Sequence, residues 1–354
     1  MTRLHDPNLR GFASDNYAGA HPEVLEAIAQ ANEGHQIAYG GDEYTARLGV
    51  LSKQIFGNQS EIFPVFNGTG ANVTGLTAML PRWGAVIAGA NAHIHTDENA
   101  APERVSGLKL LTVTTPDGKL TPELIDREAW GWGDEHRAQP LAVSITQTTE
   151  LGTCYSLAEL KAITDHAHSK GMTVHVDGAR IANAAARLGV GLGELTHETG
   201  VDVLSLGGTK NGMLYGEAIV AINPKAVDGL NYLRKLNMQL ASKMRFVSAQ
   251  FLALLEGDLW LRSATHANQM ADRLRSELDR RVASGTINGL TFSQPTESNA
   301  LFAVLPPGVA DRLRNSFRFY DWNQATGEVR WMCSFDTTEA DVDAFVEAIT
   351  KELS

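Results

Sequence analysis

The sequence predicts an α/β fold: a mostly parallel central sheet covered by helices, followed by a smaller α+β C-terminal domain. Short β-branched runs alternate with helical segments between about residues 61 and 222. Helices of that length between strands imply right-handed crossovers and a sheet covered on both faces. After about residue 224 the alternation gives way to long helical stretches and then to a short mixed segment. The expected division is a large domain over residues 1–255, N-terminal segment included, and a small one over 256–354.

Taken in order, Glu61–Phe66 (EIFPVF) reads as a strand and Gly68–Leu80 as a helix that ends before Pro81. Gly84–Ile87 is a short apolar run. Lys109–Val113 and Leu141–Ile145 are further strand candidates. Ser156 and Glu159 form a capping box, so a helix starts there and runs to about Lys170, with Gly171 ending it. Met172–Val176 is a strand, Ile181–Leu188 a helix, and Val201–Leu206 and Glu217–Ile222 are strands. Lys225–Leu255 and Asp258–Ala283 read as long helices. Asn299–Leu305, Phe317–Tyr320 and Val329–Phe335 read as strands, before a last helix that Thr338 and Asp341 start.

Composition narrows the function. The 354 residues are 43% hydrophobic and 20% charged, so a core of ordinary size can be buried. With 30 basic and 41 acidic residues the formal charge is −11, which argues against nucleic acid or an anionic membrane as the main partner. No run of about 18 uncharged apolar residues is present. The N-terminus has no apolar region of the signal-peptide kind. Cys154 and Cys333 are the only cysteines and give neither a disulfide framework nor a metal spacing. A reducing, cytoplasmic setting is expected.

Four signals bear on chemistry. Asp177 ends a β-branched run, and in open α/β sheets the ligand crevice lies at the carboxyl ends of strands. The plain reading is a solvated acid or a helix N-cap. Lys210 follows the next strand and its Gly207-Gly208-Thr209 turn. A surface lysine in a glycine loop would look the same. The two residues end successive strands, however, so a parallel sheet can bring them to one edge. There a lysine can lose its proton to burial and form an imine, and an acid can keep a pyridinium nitrogen protonated, making pyridoxal 5′-phosphate an electron sink.

The third signal is Phe66 through Asn72 (FNGTGAN), a strand end, a small-residue turn and a helix start. Gly68, Thr69 and Gly70 would offer N–H groups to a phosphate there, although such a sequence also makes an ordinary turn. The fourth is His93-Ile-His95-Thr-Asp97-Glu98. It can be read as metal ligands, as a ring stacked on a cofactor, or as a histidine capping a helix end. No third ligand sits at a familiar metal spacing, and no metal is expected. Together the four supply phosphate seat, ring stack, ring-nitrogen acid and imine lysine, in that chain order.

At these residues the chain resembles the low-specificity L-threonine aldolases, within the threonine aldolase and aromatic amino-acid β-eliminating lyase group of fold-type I pyridoxal-phosphate enzymes. The resemblance runs from FASDNYAGAHPE near the N-terminus to VRWMCSFDT near the C-terminus. Its specific pieces include AYGGDEYTARL, FNGTGANV, HIHTDENAAPE, TQTTELGT, VHVDGARIANA, LSLGGTKNGM and ASKMRFVSAQ. It implies the transferase-like fold of that group and cleavage of a β-hydroxy-α-amino acid to glycine and an aldehyde.

Carried over by motif, Lys210 would be the Schiff-base residue, Asp177 the acid on the pyridinium nitrogen and His93 the stacking ring, with Gly68, Thr69 and Gly70 seating the phosphate and Thr209 beside the lysine. Ser14, Arg180 and Arg330 would hold the substrate carboxylate, a task that suits a bidentate guanidinium; Arg180 also counts among the cofactor contacts. Lys243 and Arg245 would reach toward a neighbouring subunit's phosphate, and Tyr39 would lie near a neighbour's site. These imply a homo-oligomer, commonly a tetramer of two tight dimers. Some members carry a histidine that contacts the substrate hydroxyl where this chain has Glu150, which leaves His93, Glu150 or an ordered water to take that proton. A β-eliminating lyase, which would release pyruvate and ammonia, and a serine hydroxymethyltransferase-like activity are the alternatives within the same chemistry.

Overall fold

A computed structural model describes residues 2–354. Seven strands form the main sheet: β1 (Glu61–Val65), β2 (Gly84–Gly89), β3 (Lys109–Val113), β4 (Gln139–Thr146), β5 (Thr173–Gly178), β6 (Val203–Gly207) and β7 (Glu217–Ala221). Their order is β1-β7-β6-β5-β4-β2-β3. Only β7 runs against its two neighbours; β2, β3, β4, β5 and β6 pair in parallel. β2, β6 and β7 are buried along their whole length, as mostly apolar strands covered on both faces are, with Ser205 in β6 and Glu217 in β7 the polar exceptions. β5 and β6 pair directly, with Asp177 opposite Ser205 and Gly178 opposite Leu206.

A second, four-stranded antiparallel sheet has the order β10-β11-β9-β8. Its strands are β8 (Thr291–Phe292), β9 (Ala300–Val304), β10 (Tyr320–Asn323) and β11 (Glu328–Met332). The helix Leu259–Ala283 joins the sheets and packs on the helix Ile181–Leu188. Asn183 Nδ2 donates to Asn268 Oδ1 at 3.0 Å, and Asn268 Nδ2 returns a bond to the Asn183 carbonyl at 2.9 Å.

Local chemistry sets the helix starts. Ser156 Oγ accepts from the Glu159 N–H at 3.2 Å while Glu159 accepts from the Ser156 N–H at 2.7 Å, the expected capping box. Thr338 and Asp341 repeat it. Asn67 caps the helix Gly68–Met79 by accepting from the Gly70 N–H at 2.7 Å.

Two expectations fail for identifiable reasons. The helix expected over Lys225–Leu255 is broken into Leu230–Leu236 and Arg245–Leu255. Between them Asn237 donates to Thr74 Oγ1 at 3.0 Å, Gln239 accepts from the Phe66 N–H at 3.0 Å, and Met238 takes a left-handed φ of 61°. Side-chain bonds to the Gly68–Met79 region replace helix continuation. The strand expected at Phe317–Tyr320 lies instead at Tyr320–Asn323, because Phe317 and Phe319 turn into an aromatic cluster around Phe345.

Phe12 anchors the N-terminal segment to the small sheet. It is fully buried, stacks on Phe345 at 4.3 Å, donates its N–H to the Arg318 carbonyl and accepts from the Met332 N–H. That anchorage brings Ser14 and Asp15 to the main sheet's edge. Phe12→Ala is expected to destabilise the protein by about 3–5 kcal/mol, whereas Tyr232→Ala, at an 82% exposed residue, should change stability by less than about 0.5 kcal/mol. Denaturant midpoints of the two variants check this.

Candidate active site

The carboxyl ends of β5 and β6 define the site. Asp177 is the penultimate residue of β5 and is buried. Its Oδ1 accepts from the Ala179 N–H at 3.1 Å and its Oδ2 from Asn72 Nδ2 at 2.8 Å. β6 ends at Gly207, and Lys210 stands in the single helical turn Thr209–Asn211 that follows. A Cβ at Gly207 would run into the backbone of Ala179, and one at Gly208 into Met213. The two glycines therefore let the lysine turn lie against the Asp177 turn.

Lys210 has no ion-pair partner within reach among the described residues. Burial holds its amine below the ordinary ammonium range, and the Arg180 guanidinium adds to the effect. Asp15, Asp177 and Glu217 pull the other way, which places all three carboxylates around it. Glu217 was not expected in the site. Its buried carboxylate accepts from the Gly208 N–H at 2.6 Å and the Thr209 N–H at 3.4 Å, so it holds the lysine turn from below. Burial pushes Glu217 up to about 7. The Thr209 hydroxyl bonds Gly216, donating to its carbonyl at 3.3 Å and accepting from its N–H at 3.1 Å.

His93 begins the short helix His93–Thr96 just after β2. Its Nδ1 bonds Glu98 Oε1 at 2.9 Å, a contact that raises its pKa above the usual imidazole value. Its backbone N–H donates to Glu150 Oε1 at 2.7 Å, and Thr146 Oγ1 donates to the same oxygen at 2.9 Å. Burial, with Asp177 close by, pushes Glu150 up to about 7. Among the described residues no group of three His, Cys, Asp or Glu is placed to hold a metal ion.

The arginines differ. Arg180 is clamped by Asp15: Nε donates to Oδ2 at 2.7 Å and Nη2 to Oδ1 at 2.9 Å, while Asn299 donates to Oδ2 at 3.1 Å. Arg330 has no such acid. Its Nη2 reaches the Ala13 carbonyl at 3.3 Å, and its Nε is buried without a hydrogen-bond partner. Burial and the nearby Arg180 lower its pKa to about 10. An unneutralised guanidinium in that position suits an incoming carboxylate. Ser14 lies just before Asp15, its hydroxyl accepting from the Asn16 N–H at 3.2 Å.

Of the three amides expected to meet a phosphate, two are free. The Gly70 N–H is taken by Asn67, which leaves the Gly68 and Thr69 amides of the first helical turn. A side chain at Gly70 would collide with the Gln239 carboxamide. Tyr39 and Arg245 make no hydrogen bond to this cluster. Tyr39 lies on a loop and Arg245 at the start of the helix Arg245–Leu255, and the two segments touch: the Tyr39 N–H bonds the Ser242 carbonyl at 2.9 Å and Arg245 the Gly34 carbonyl at 3.1 Å. Asp15, Asn72, Glu98, Glu217 and Gln239 were missed as contributors. Three of them sit inside segments quoted above (SDN, NGTGAN and HIHTDE), but nothing in one sequence says which neighbours their side chains meet.

Pyridoxal 5′-phosphate fits the chemistry of these residues: a helix N-terminus with two free amides, a buried acid, a half-buried amine without an ion-pair partner and an imidazole held by Glu98. Comparison with known proteins agrees. A family model described as beta-eliminating lyase matches residues 11–297. The chain is 44% identical to the low specificity L-threonine aldolase of a Pseudomonas species, covering 94% of each, and 45% identical to that of Pseudomonas aeruginosa, covering 92% of this chain and 93% of the relative. The solved threonine aldolase of Leishmania major superposes with a TM-score of 0.89 at 29% identity, over 97% of this chain and 99% of that one. The main sheet is thus the fold-type I arrangement, and the chain belongs to the beta-eliminating lyase and threonine aldolase family.

Proposed function

We propose that the protein is an aldehyde-lyase that cleaves the Cα–Cβ bond of L-threonine, L-allo-threonine and related β-hydroxy-α-amino acids, phenylserine among them, to glycine and an aldehyde. One observation supports this reading: a half-buried lysine without an ion-pair partner among the described residues follows β6, next to the strand that carries the buried Asp177, and a guanidinium with no acid of its own lies beside Arg180. The relatives that bear the name of this activity match the chain nearly end to end. Enzymes of this family depend on pyridoxal phosphate, which when bound supplies a sink for the electron pair released at Cα.

In this assignment Lys210 anchors the cofactor covalently and Asp177 faces its ring nitrogen. His93 covers the ring, and the Gly68 and Thr69 amides meet the phosphate. Arg330 and Ser14 fix the substrate carboxylate, with Arg180 oriented by Asp15 beside them. Fixing the carboxylate sets which bond at Cα stands perpendicular to the ring. Glu150 takes the hydroxyl proton: its carboxylate is held beside His93 and is poised near neutrality.

The assembly proposed is a homotetramer of two dimers, with Tyr39 and Arg245 serving the neighbour's site. Ile37, Tyr39, Leu236 and Met238 are 74, 52, 72 and 80% exposed on and beside these touching segments, apolar side chains that a neighbouring subunit would cover. Cys154 and Cys333 are buried and unpaired, which supports a reducing, cytoplasmic setting. No helix among the described residues is long and apolar enough to cross a membrane.

L-Threonine is expected to yield glycine and acetaldehyde; release of 2-oxobutanoate and ammonia would instead mark β-elimination. Lys210→Ala should lose the visible absorbance of the bound cofactor and take cleavage to background. Glu150 must be ionised to accept a proton, so kcat/KM should fall as pH drops through about 7. Glu150→Gln should lower it roughly 10²–10⁴-fold and flatten that limb. Light scattering should give about four times the 38.2 kDa of one chain, and a monomeric mass would contradict the shared-site assembly.

A further inference from the structure

Behind the cofactor-facing residues lies a buried polar chain to which the mechanism assigns no part. Asn72, 2% exposed, sits in the helix Gly68–Met79, one turn beyond the phosphate amides. Its Nδ2 donates to Asp177 Oδ2 and to Glu98 Oε1, both at 2.8 Å. An amide nitrogen has two hydrogens, so one goes to each acid. Glu98, 4% exposed, uses the same Oε1 to bond His93 Nδ1 at 2.9 Å. The order is therefore Asp177, Asn72, Glu98, His93, running from the residue below the ring to the residue above it.

Two features separate this chain from ordinary core packing. Asn72 Oδ1 and Glu98 Oε2 are both buried without a hydrogen-bond partner. Leaving buried polar atoms unpartnered is costly, so an apolar pair would stabilise the fold better. The second is direction. Glu98 accepts from Asn72 and, as a carboxylate, offers only acceptors, so the hydrogen on His93 Nδ1 must point to Glu98. That restrains the imidazole plane and leaves Nε2 without a hydrogen-bond partner among the described residues, the way a carboxylate behind a metal-ligating histidine fixes its tautomer. The charged groups that face His93 are Glu98, Asp177 and Lys210, with Glu150 on its backbone N–H.

We propose that Asn72 and Glu98 are a positioning pair that ties the stacking ring of His93 and the ring-nitrogen acid Asp177 to the one helix whose first turn seats the phosphate. The cofactor's three contact points are then indexed to a single rigid element. This inference rests on the assignment of the crevice to pyridoxal phosphate.

The test measures two things in the full-length chain: the dissociation constant for pyridoxal phosphate after cofactor removal, and the titration midpoint of His93 by NMR of histidine-labelled protein. Glu98→Gln keeps the size and one acceptor but removes the charge. It should lower the His93 midpoint and weaken cofactor binding about tenfold. Asn72→Ala should weaken cofactor binding by a similar factor. Should it fail to fold, Asn72→Ser, smaller and still able to donate once, is used for the same comparison. An unchanged dissociation constant and an unchanged His93 midpoint in folded Glu98→Gln would overturn the positioning role. Failure of the wild-type chain to bind the cofactor at all would overturn the functional reading itself, so the two failures are distinguishable.

Discussion

The structure depends on one constraint: β5 and β6 are hydrogen-bonded neighbours that run the same way and end at the same edge. Side chains at or just past those ends are thereby brought to the same edge. Asp177, next to last in β5, and Lys210, in the turn after β6, are two of them. Glycines at 207 and 208 remove the Cβ atoms that would hold the turns apart. Gly178 pairs with Leu206 and is equally tight, with Leu204 and the Ser205 carbonyl against it. Sheet register, not loop flexibility, sets the distance between amine and acid.

Electrostatics then sorts the groups brought there. Arg180 and Asp15 neutralise each other through two bonds, and Asn299 holds the acid in place. Lys210 and Arg330 are left without acids of their own. Burial lowers the pKa of each, so both gain from a ligand that brings negative charge or takes a proton. Asp15 depends in turn on Phe12, whose ring is buried under Phe345 in the small sheet's core. The packing of a remote aromatic cluster thereby reaches the site.

Much of this was legible in the sequence, for reasons that can be named. β3, the helix Ile181–Leu188 and the two capping boxes lie where local patterning places them, because their signals are short-range: alternation, an N-cap, a stop at glycine. The break at 237–244 was not legible. Its cause is a pair of side-chain bonds, from Asn237 to Thr74 in the helix Gly68–Met79 and from the Phe66 N–H before that helix to Gln239, each across more than 160 residues. The site divides in the same manner. Asp177, Lys210 and His93 stand at strand ends, where topology alone assigns a crevice. Asn72, Glu98, Glu217 and Asp15 act through partners that only the folded chain supplies, and no spacing in one sequence reports them.

If one ring lies between Asp177 and Lys210, a crystal structure of the cofactor-loaded protein will show the pyridine nitrogen about 2.7–2.9 Å from an Asp177 carboxylate oxygen, with density continuous from the opposite side of the ring to Lys210 Nζ. A cofactor found in another cavity, or touching only one of these two residues, would contradict it.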